Sequence, residues 1–270
     1  MGPGALIGWL DLPLLFLAGL GAGAIGSTAG LASLVSYPVL LAIGLPPVTA
    51  NVTNTVGLVG SSIGSVLGSR LELRGQWRDL LRWLPVALLG GGTGATLLLL
   101  GPPGTFQRIV PYLVAGASLL LLAGPRLRSL RHRAARPELG GAVGDSASTT
   151  SPARPGPGVA VGLFFACLYG GYFGAAAGVM ILALLLATTE KSLPVANAAK
   201  NLLLGVANAT AATGFVFFAD VRWAVVLPLG MGCLVGGALG PAALRRLPPN
   251  PVRIVIAVLG FALAVKLALA

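Results

Sequence analysis

Residues 193–218 read LPVANAAKNLLLGVANATAATGFVFF, a run long and apolar enough to cross a bilayer as a helix, yet Lys200 stands inside it. An ionisable group in hydrocarbon costs roughly 2.5–3.5 kcal/mol on insertion scales, so it is by default a functional residue whose partner has to be found. At helical spacing Asn197, Lys200, Asn201, Gly205 and Asn208 fall on one face, while Leu202, Leu203, Val206 and Phe215 populate the rest. The polar stripe is expected to face protein or water, and the apolar arc lipid. A plainer option exists for a lysine six residues past Pro194: its ammonium can snorkel to the interface, about 10 Å away.

Outward from this stretch, the chain is a membrane protein throughout. Of its 270 residues 56% are apolar and 9% charged, with mean hydropathy +0.90, which no ordinary soluble domain matches. Forty glycines and few aromatics suit helices that approach closely through small side chains. The short segments of alternating polarity that a transmembrane barrel needs are missing. Net charge is +11, but the 15 arginines and three lysines lie mainly between apolar runs, where they act as topology signals; nucleic acid is not an expected partner. Cys167 and Cys233 sit in separate apolar runs without CxxC spacing and read as packing residues. The N-terminal run lacks a preceding Lys or Arg, so the first span is expected to be retained rather than cleaved as a signal peptide.

Span-length apolar segments lie at roughly 11–30, 48–69, 80–100, 107–124, 158–176, 195–219, 222–243 and 251–269. Two shorter pieces, 31–45 and 178–189, follow Gly-rich corners and read as short tilted spans or re-entrant segments. The chain also repeats itself. AIGSTAG (24–30) matches YFGAAAG (172–178), LPPVTANVTN (45–54) matches SLPVANAAKN (192–201), and PPGTFQRIV (102–110) matches PPNPVRIV (248–255). The fold expected is therefore an all-α polytopic membrane protein of two homologous helical repeats, 1–124 and 158–270. An Arg/Pro/Ser-rich linker, 125–157, joins them and is expected to be cytoplasmic. Arg70, Arg74, Arg78 and Arg82 share a loop whose counterpart holds only Asp220 and Arg222, and the next loop reverses the bias with Arg245 and Arg246. That pattern favours inverted repeats of five passes each; parallel repeats of four passes remain the alternative.

Paired Gly-interrupted segments, GLGAGAIGSTAGL (19–31) and YGGYFGAAAGV (169–179), are the sequence mark of a midplane site at a repeat interface, where broken helices aim backbone N–H groups at an anion. The bland alternative is tight small-residue packing. In the first half the following helix places Asn51, Asn54, Ser61 and Ser65 on one face; the second half adds Lys200. Amides, hydroxyls and one cation suit a small oxyanion, although interhelical hydrogen bonding explains any single Asn equally well. No Asp or Glu lies in the middle of an apolar run, so a carboxylate proton relay or cation site is not expected. The single histidine, His132, lies in the linker, which argues against Ser-His proteolysis, histidine-bound metal and enzymatic chemistry generally; no cofactor is expected.

With both Gly-rich corners, LPPVTANVTNTVGLV with its SSIGS continuation, ANAAKNLLLGVANATAA and the two PP…RIV runs, the sequence resembles the sulfite exporter TauE/SafE family over nearly its whole length apart from the linker. Thr53-Asn54 and Lys200-Asn201 stand where that family often has a threonine-serine pair. The resemblance implies a multi-pass cell-membrane permease for small sulfur-containing anions such as sulfite or sulfoacetate, often in the direction of export. On this reading Lys200, Asn201, Asn197, Asn208, Asn54, Asn51 and Ser61 contact the anion, and Gly26, Gly30, Gly174 and Gly178 let backbone approach it. The partners expected are the anion and the bilayer, and a homo-oligomer is compatible with the composition. A non-transporting scaffold and a passive anion channel are the competing readings; the first lacks anion-dependent stabilisation and the second lacks saturation.

Overall fold

The computed structural model describes residues 8, 11–102, 104–116, 119, 157–189, 191–244, 258 and 265. Its helices are α1 (Asp11–Ala29), α2 (Ala32–Ala42), α3 (Pro47–Gly68), α4 (Arg70–Leu73), α5 (Trp77–Leu81), α6 (Leu84–Leu100), α7 (105–116), α8 (Pro157–Tyr172), α9 (Ala177–Thr188), α10 (Leu193–Phe218) and α11 (Trp223–Leu244). No strand occurs among the described residues. Four stretches are long and apolar enough to cross a membrane: Asp11–Ala29, Trp77–Leu100, Leu193–Phe218 and Trp223–Gly240. The linker from 125 to 156, His132, Arg245, Arg246, Arg253, Lys266 and nearly all of the expected span 251–269 lie outside the described residues.

Both Gly-rich corners break helices. Gly30, at φ +75°, separates α1 from α2; residues 173–176, with Gly174 at φ +77°, separate α8 from α9. Without a Cβ, glycine adopts this left-handed conformation at no steric penalty, and the chain reverses. The space beside Gly21 is filled by Val35 and that beside Gly26 by Ala32, so α2 runs back along α1; Gly162 against Leu184 and Gly170 against Ala177 show the same for α9 and α8. With 11 and 12 residues, α2 and α9 reach only ~17 and ~18 Å, short of the ~30 Å of hydrocarbon. The pieces expected to be short spans or re-entrant segments are thus the return arms of two helical hairpins.

Glycine contacts fix the direction of the long helices. Gly19 and Gly23 of α1 lie against Leu229 and Cys233 of α11, Gly60 and Gly64 of α3 against Gly230 and Leu234, so α1, α3 and α11 are parallel. Likewise Gly90 and Gly94 of α6 meet Cys167 and Leu168 of α8, while Gly91 and Ala95 meet Ala207 and Gly214 of α10. The two triplets oppose each other. Lys191, before α10, reaches Gln76 beyond α3, and the Arg222 N–H beyond α10 donates to Thr53 Oγ1 near the start of α3, 3.2 Å away. Each triplet therefore contains one broken helix, and the two hairpins enter from opposite ends. Their tips meet at Gly30 and Gly178, which are in backbone contact.

One expectation fails. Leu203 and Phe215, assigned to the lipid-facing arc, are fully buried, because α10 is enclosed by α3, α6, α8 and α9.

Candidate functional site

Lys200 is fully buried and does not snorkel. Its Nζ donates to the carbonyls of Gly26 (3.0 Å) and Ser27 (3.3 Å) in the last turn of α1. Asn197 and Asn201, one turn apart on the same face of α10, both donate Nδ2–H to the Ser27 carbonyl, at 2.9 and 3.0 Å. The last carbonyls of a helix have no intrahelical partner and carry the negative end of its dipole; in a membrane no water replaces the missing donors. The polar stripe of α10 meets that need at the break in α1. The opposite break is met from α3: Asn51 Nδ2 donates to the Tyr172 carbonyl at the end of α8, 2.9 Å away.

Between the tips lies a cavity of about 30 Å³, enough for roughly two waters. Gly26, Gly30 and Ser33 from the first hairpin line it, with Gly170, Phe173 and Gly174 from the second, Thr55, Ser61, Ser62 and Ser65 from α3, and Asn201 and Asn208 from α10. Of the residues nominated in the sequence to meet the anion, Gly26, Gly30, Gly174, Ser61, Asn201 and Asn208 come together here, joined by Ser65 of the same α3 face. The others stand one layer back. Lys200 and Asn197 hold the carbonyls behind Gly26, Gly178 packs on Gly30, Asn51 holds Tyr172, and Asn54 bridges Ser33 (3.1 Å) and Ser36 (2.5 Å). No group of three or more His, Cys, Asp or Glu side chains able to hold a metal occurs among the described residues.

The family profile described as "Sulfite exporter TauE/SafE" matches residues 15–267. The chain belongs to the TauE/SafE family. Among curated proteins, the TauE/SafE chain is 23% identical to a "Probable membrane transporter protein" of Haemophilus influenzae, covering 95% of this chain and 94% of the relative. It is 26% identical to "Probable membrane transporter protein ORF9" of Sinorhizobium sp., covering 95% and 92%, and 24% identical to "Probable membrane transporter protein YfcA" of Escherichia coli K12, covering 96% and 90%. No solved structure matches.

Three further polar residues of this TauE/SafE chain line the cavity: Thr55 and Ser62, which share a face of α3, and Ser33, which joins them only when the hairpin folds α2 back. The hydroxyls divide chemically. Thr55, Ser62 and Ser65 donate to the carbonyls of Asn51 (3.0 Å), Leu58 (3.2 Å) and Ser62 (3.1 Å), so they turn lone pairs outward. Ser61 and Asn208 line the cavity without a hydrogen-bond partner among the described residues and keep donors for a guest.

Proposed function

We propose that this chain is a secondary permease of the cell membrane that carries a small sulfur-containing oxyanion, sulfite or sulfoacetate in class, outward. Its halves, 1–124 and 158–270, act as inverted repeats about the Gly30–Gly178 contact. The opposed hairpins and the antiparallel α3/α10 pair support the inversion. So does the charge of one end, where Arg70, Arg74, Arg78, Arg82 and Lys191 collect, which makes that end cytoplasmic by the positive-inside rule.

The observation that carries the reading is the cavity itself: both broken helices and both polar helices line it, and a buried ammonium lies directly behind its Gly26 and Asn201 wall. In this low-dielectric setting that charge stabilises an anion it does not touch. Asn208, Ser61, Asn201 and the N-terminus of α2 at Ser33 supply donors, and the lone pairs of Thr55, Ser62 and Ser65 accept from an oxyanion that keeps a proton, as hydrogensulfite does. Room for about two waters is too little for such a guest, so the tips have to part to admit it, as rocking of one triplet against the other accomplishes.

Anion-dependent melting of the purified protein tests this. Sulfite is expected to raise the melting temperature with a saturating concentration dependence, and S61A and Asn208→Leu to lose that rise while melting normally without anion. Flux into proteoliposomes should saturate and fall about tenfold or more in Asn208→Leu, given the 1–3 kcal/mol of an unmade bond to a charged guest. No stabilisation by sulfite, sulfoacetate or thiosulfate removes the oxyanion reading.

A further inference from the structure

We infer that the Lys200 ammonium is a resident cation: from its tether on α10 it occupies the kind of site that a free monovalent cation fills at a broken helix. In carriers built from repeats, half-helix C-termini and unwound carbonyls coordinate the coupling cation, because unpaired C=O groups and the negative end of the dipole coincide there. The break in α1 offers the same dipole end, with carbonyls that the ammonium shares with other donors. Nζ lies 3.0 Å from the Gly26 carbonyl and 3.3 Å from the Ser27 carbonyl, and the Gly26 carbonyl also accepts the Gly30 N–H at 2.9 Å, so the ion and the turn share an oxygen.

Among the described residues no carboxylate shares this site. The ion pairs among the described residues, Arg82–Asp79, Lys191–Asp79 and Arg222–Asp220, all lie in the short helix α5 and the loops at the bundle ends. A buried charge lacking its counter-ion is held by dipoles or not at all. Here the counter-charge is the end of α1; Asn197 and Asn201 donate to the same Ser27 carbonyl and share it with the ammonium, whose shorter contact is to Gly26. The position equivalent to Lys200 in the other half is Thr53, and among the described residues the break in α8 has one side-chain donor, the neutral Asn51. One break carries a built-in ion and the other does not.

This concerns what holds the α1 break with no anion present, so it stands or falls apart from the transport reading. The test is thermal melting of the full-length protein in nanodiscs, in choline chloride without sulfur anions. K200A removes every atom beyond Cβ, and n-propylammonium supplies the missing three carbons and the ammonium. K200A is expected to melt about 10 °C below wild type, the scale for uncovering a buried polar site in a chain of this size. n-Propylammonium should recover at least half of that loss; n-propanol, of the same shape without the charge, should recover none, and wild type should respond to neither. Rescue by n-propanol equal to that by n-propylammonium overturns the proposal, because volume alone would then suffice. K200M tests the same point without a vacancy. It is expected to accumulate poorly or melt early, whereas Leu203→Met, at an equally buried neighbour, does not. A K200M protein that accumulates and melts like wild type overturns the proposal even where K200A cannot be purified.

Discussion

The two hairpins use matching sequence to different ends. AIGSTAG (24–30) winds as the last turn of α1 up to Ala29, whereas YFGAAAG (172–178) leaves the helix at Tyr172 and re-enters it only at Ala177. What meets each helix end differs. At α1, an ammonium and two amides reach the carbonyls of Gly26 and Ser27. Charge at a helix terminus is worth up to ~2 kcal/mol and a hydrogen bond to a charged group ~1.5–3 kcal/mol, which outweighs the ~1 kcal/mol helix penalty of Gly26. At α8 one neutral bond from Asn51, ~0.5–1.5 kcal/mol, leaves no such margin. That tip is held by aromatic packing instead. Phe173 stands edge-on to Tyr37 with ring centroids 5.3 Å apart and packs on Phe106 at 5.8 Å, and Phe106 in turn lies 5.8 Å from Tyr172. A charged tip and a greasy tip thus enclose one cavity, and the second is the better placed to move because no buried ion has to be uncovered.

The contrast breaks most severely at the contact between tips. A Cβ on Gly30 would lie 2.6–2.8 Å from the backbone of Gly178 and Val179 and would also need φ +75°, so Gly30→Val is expected to abolish accumulation of folded protein, read by size-exclusion of a detergent extract. G174A faces the same φ but meets only the Gly170 carbonyl, at 3.0 Å, and should lose about 1–2 kcal/mol. Equal damage from both would show that the tips do not depend on their mutual contact. Next is Phe173→Ala, expected to lose ~3–5 kcal/mol by leaving a hole among Tyr37, Phe106 and Tyr172. Asn51→Leu should lose ~1–3 kcal/mol through the orphaned Tyr172 carbonyl. If Asn51→Leu exceeds Phe173→Ala in melting experiments, the second tip is polar in character after all and the contrast dissolves.

Much of this was legible in the chain because it is written in side chains. A lysine in an apolar run, and glycines clustered twice at matching places, announce buried polarity and broken helices. What escaped was of another kind. The partners of Lys200 are backbone carbonyls, which every residue possesses, so no pattern pairs it with Gly26 and Ser27 in particular. Leu203 and Phe215 look lipid-facing on an isolated helix, and only the enclosure of α10 by four others buries them. Tyr37, Phe106 and Phe173 belong to three separate elements and share no period. Six of the residues nominated for the site line the cavity, while Lys200, Asn197, Asn51, Asn54 and Gly178 stand behind it, because helical spacing assigns a face but not the distance from that face to a guest.

The smallest expected effect lies where the helix that carries the ammonium begins. Lys191, just before α10, bonds to Gln76 Oε1 and lies 3.4 Å from Asp79 Oδ2, with Arg82 3.8 Å from the same carboxylate. These groups join the loop after α3 to the start of α10, about two turns from Lys200, and so offer a rival account of what seats α10 against α1. The Asp79 side chain is 54% exposed, however, and an exposed pair of this kind contributes only ~0–1 kcal/mol and is screened by salt. Asp79→Asn should therefore lower the melting temperature by less than about 3 °C in dilute buffer, and the difference should vanish in molar salt. A loss as large as that of K200M, persisting in salt, would mean that the surface link rather than the buried ammonium sets the register of α10, and the distinction between the two tips would then have its origin outside the membrane.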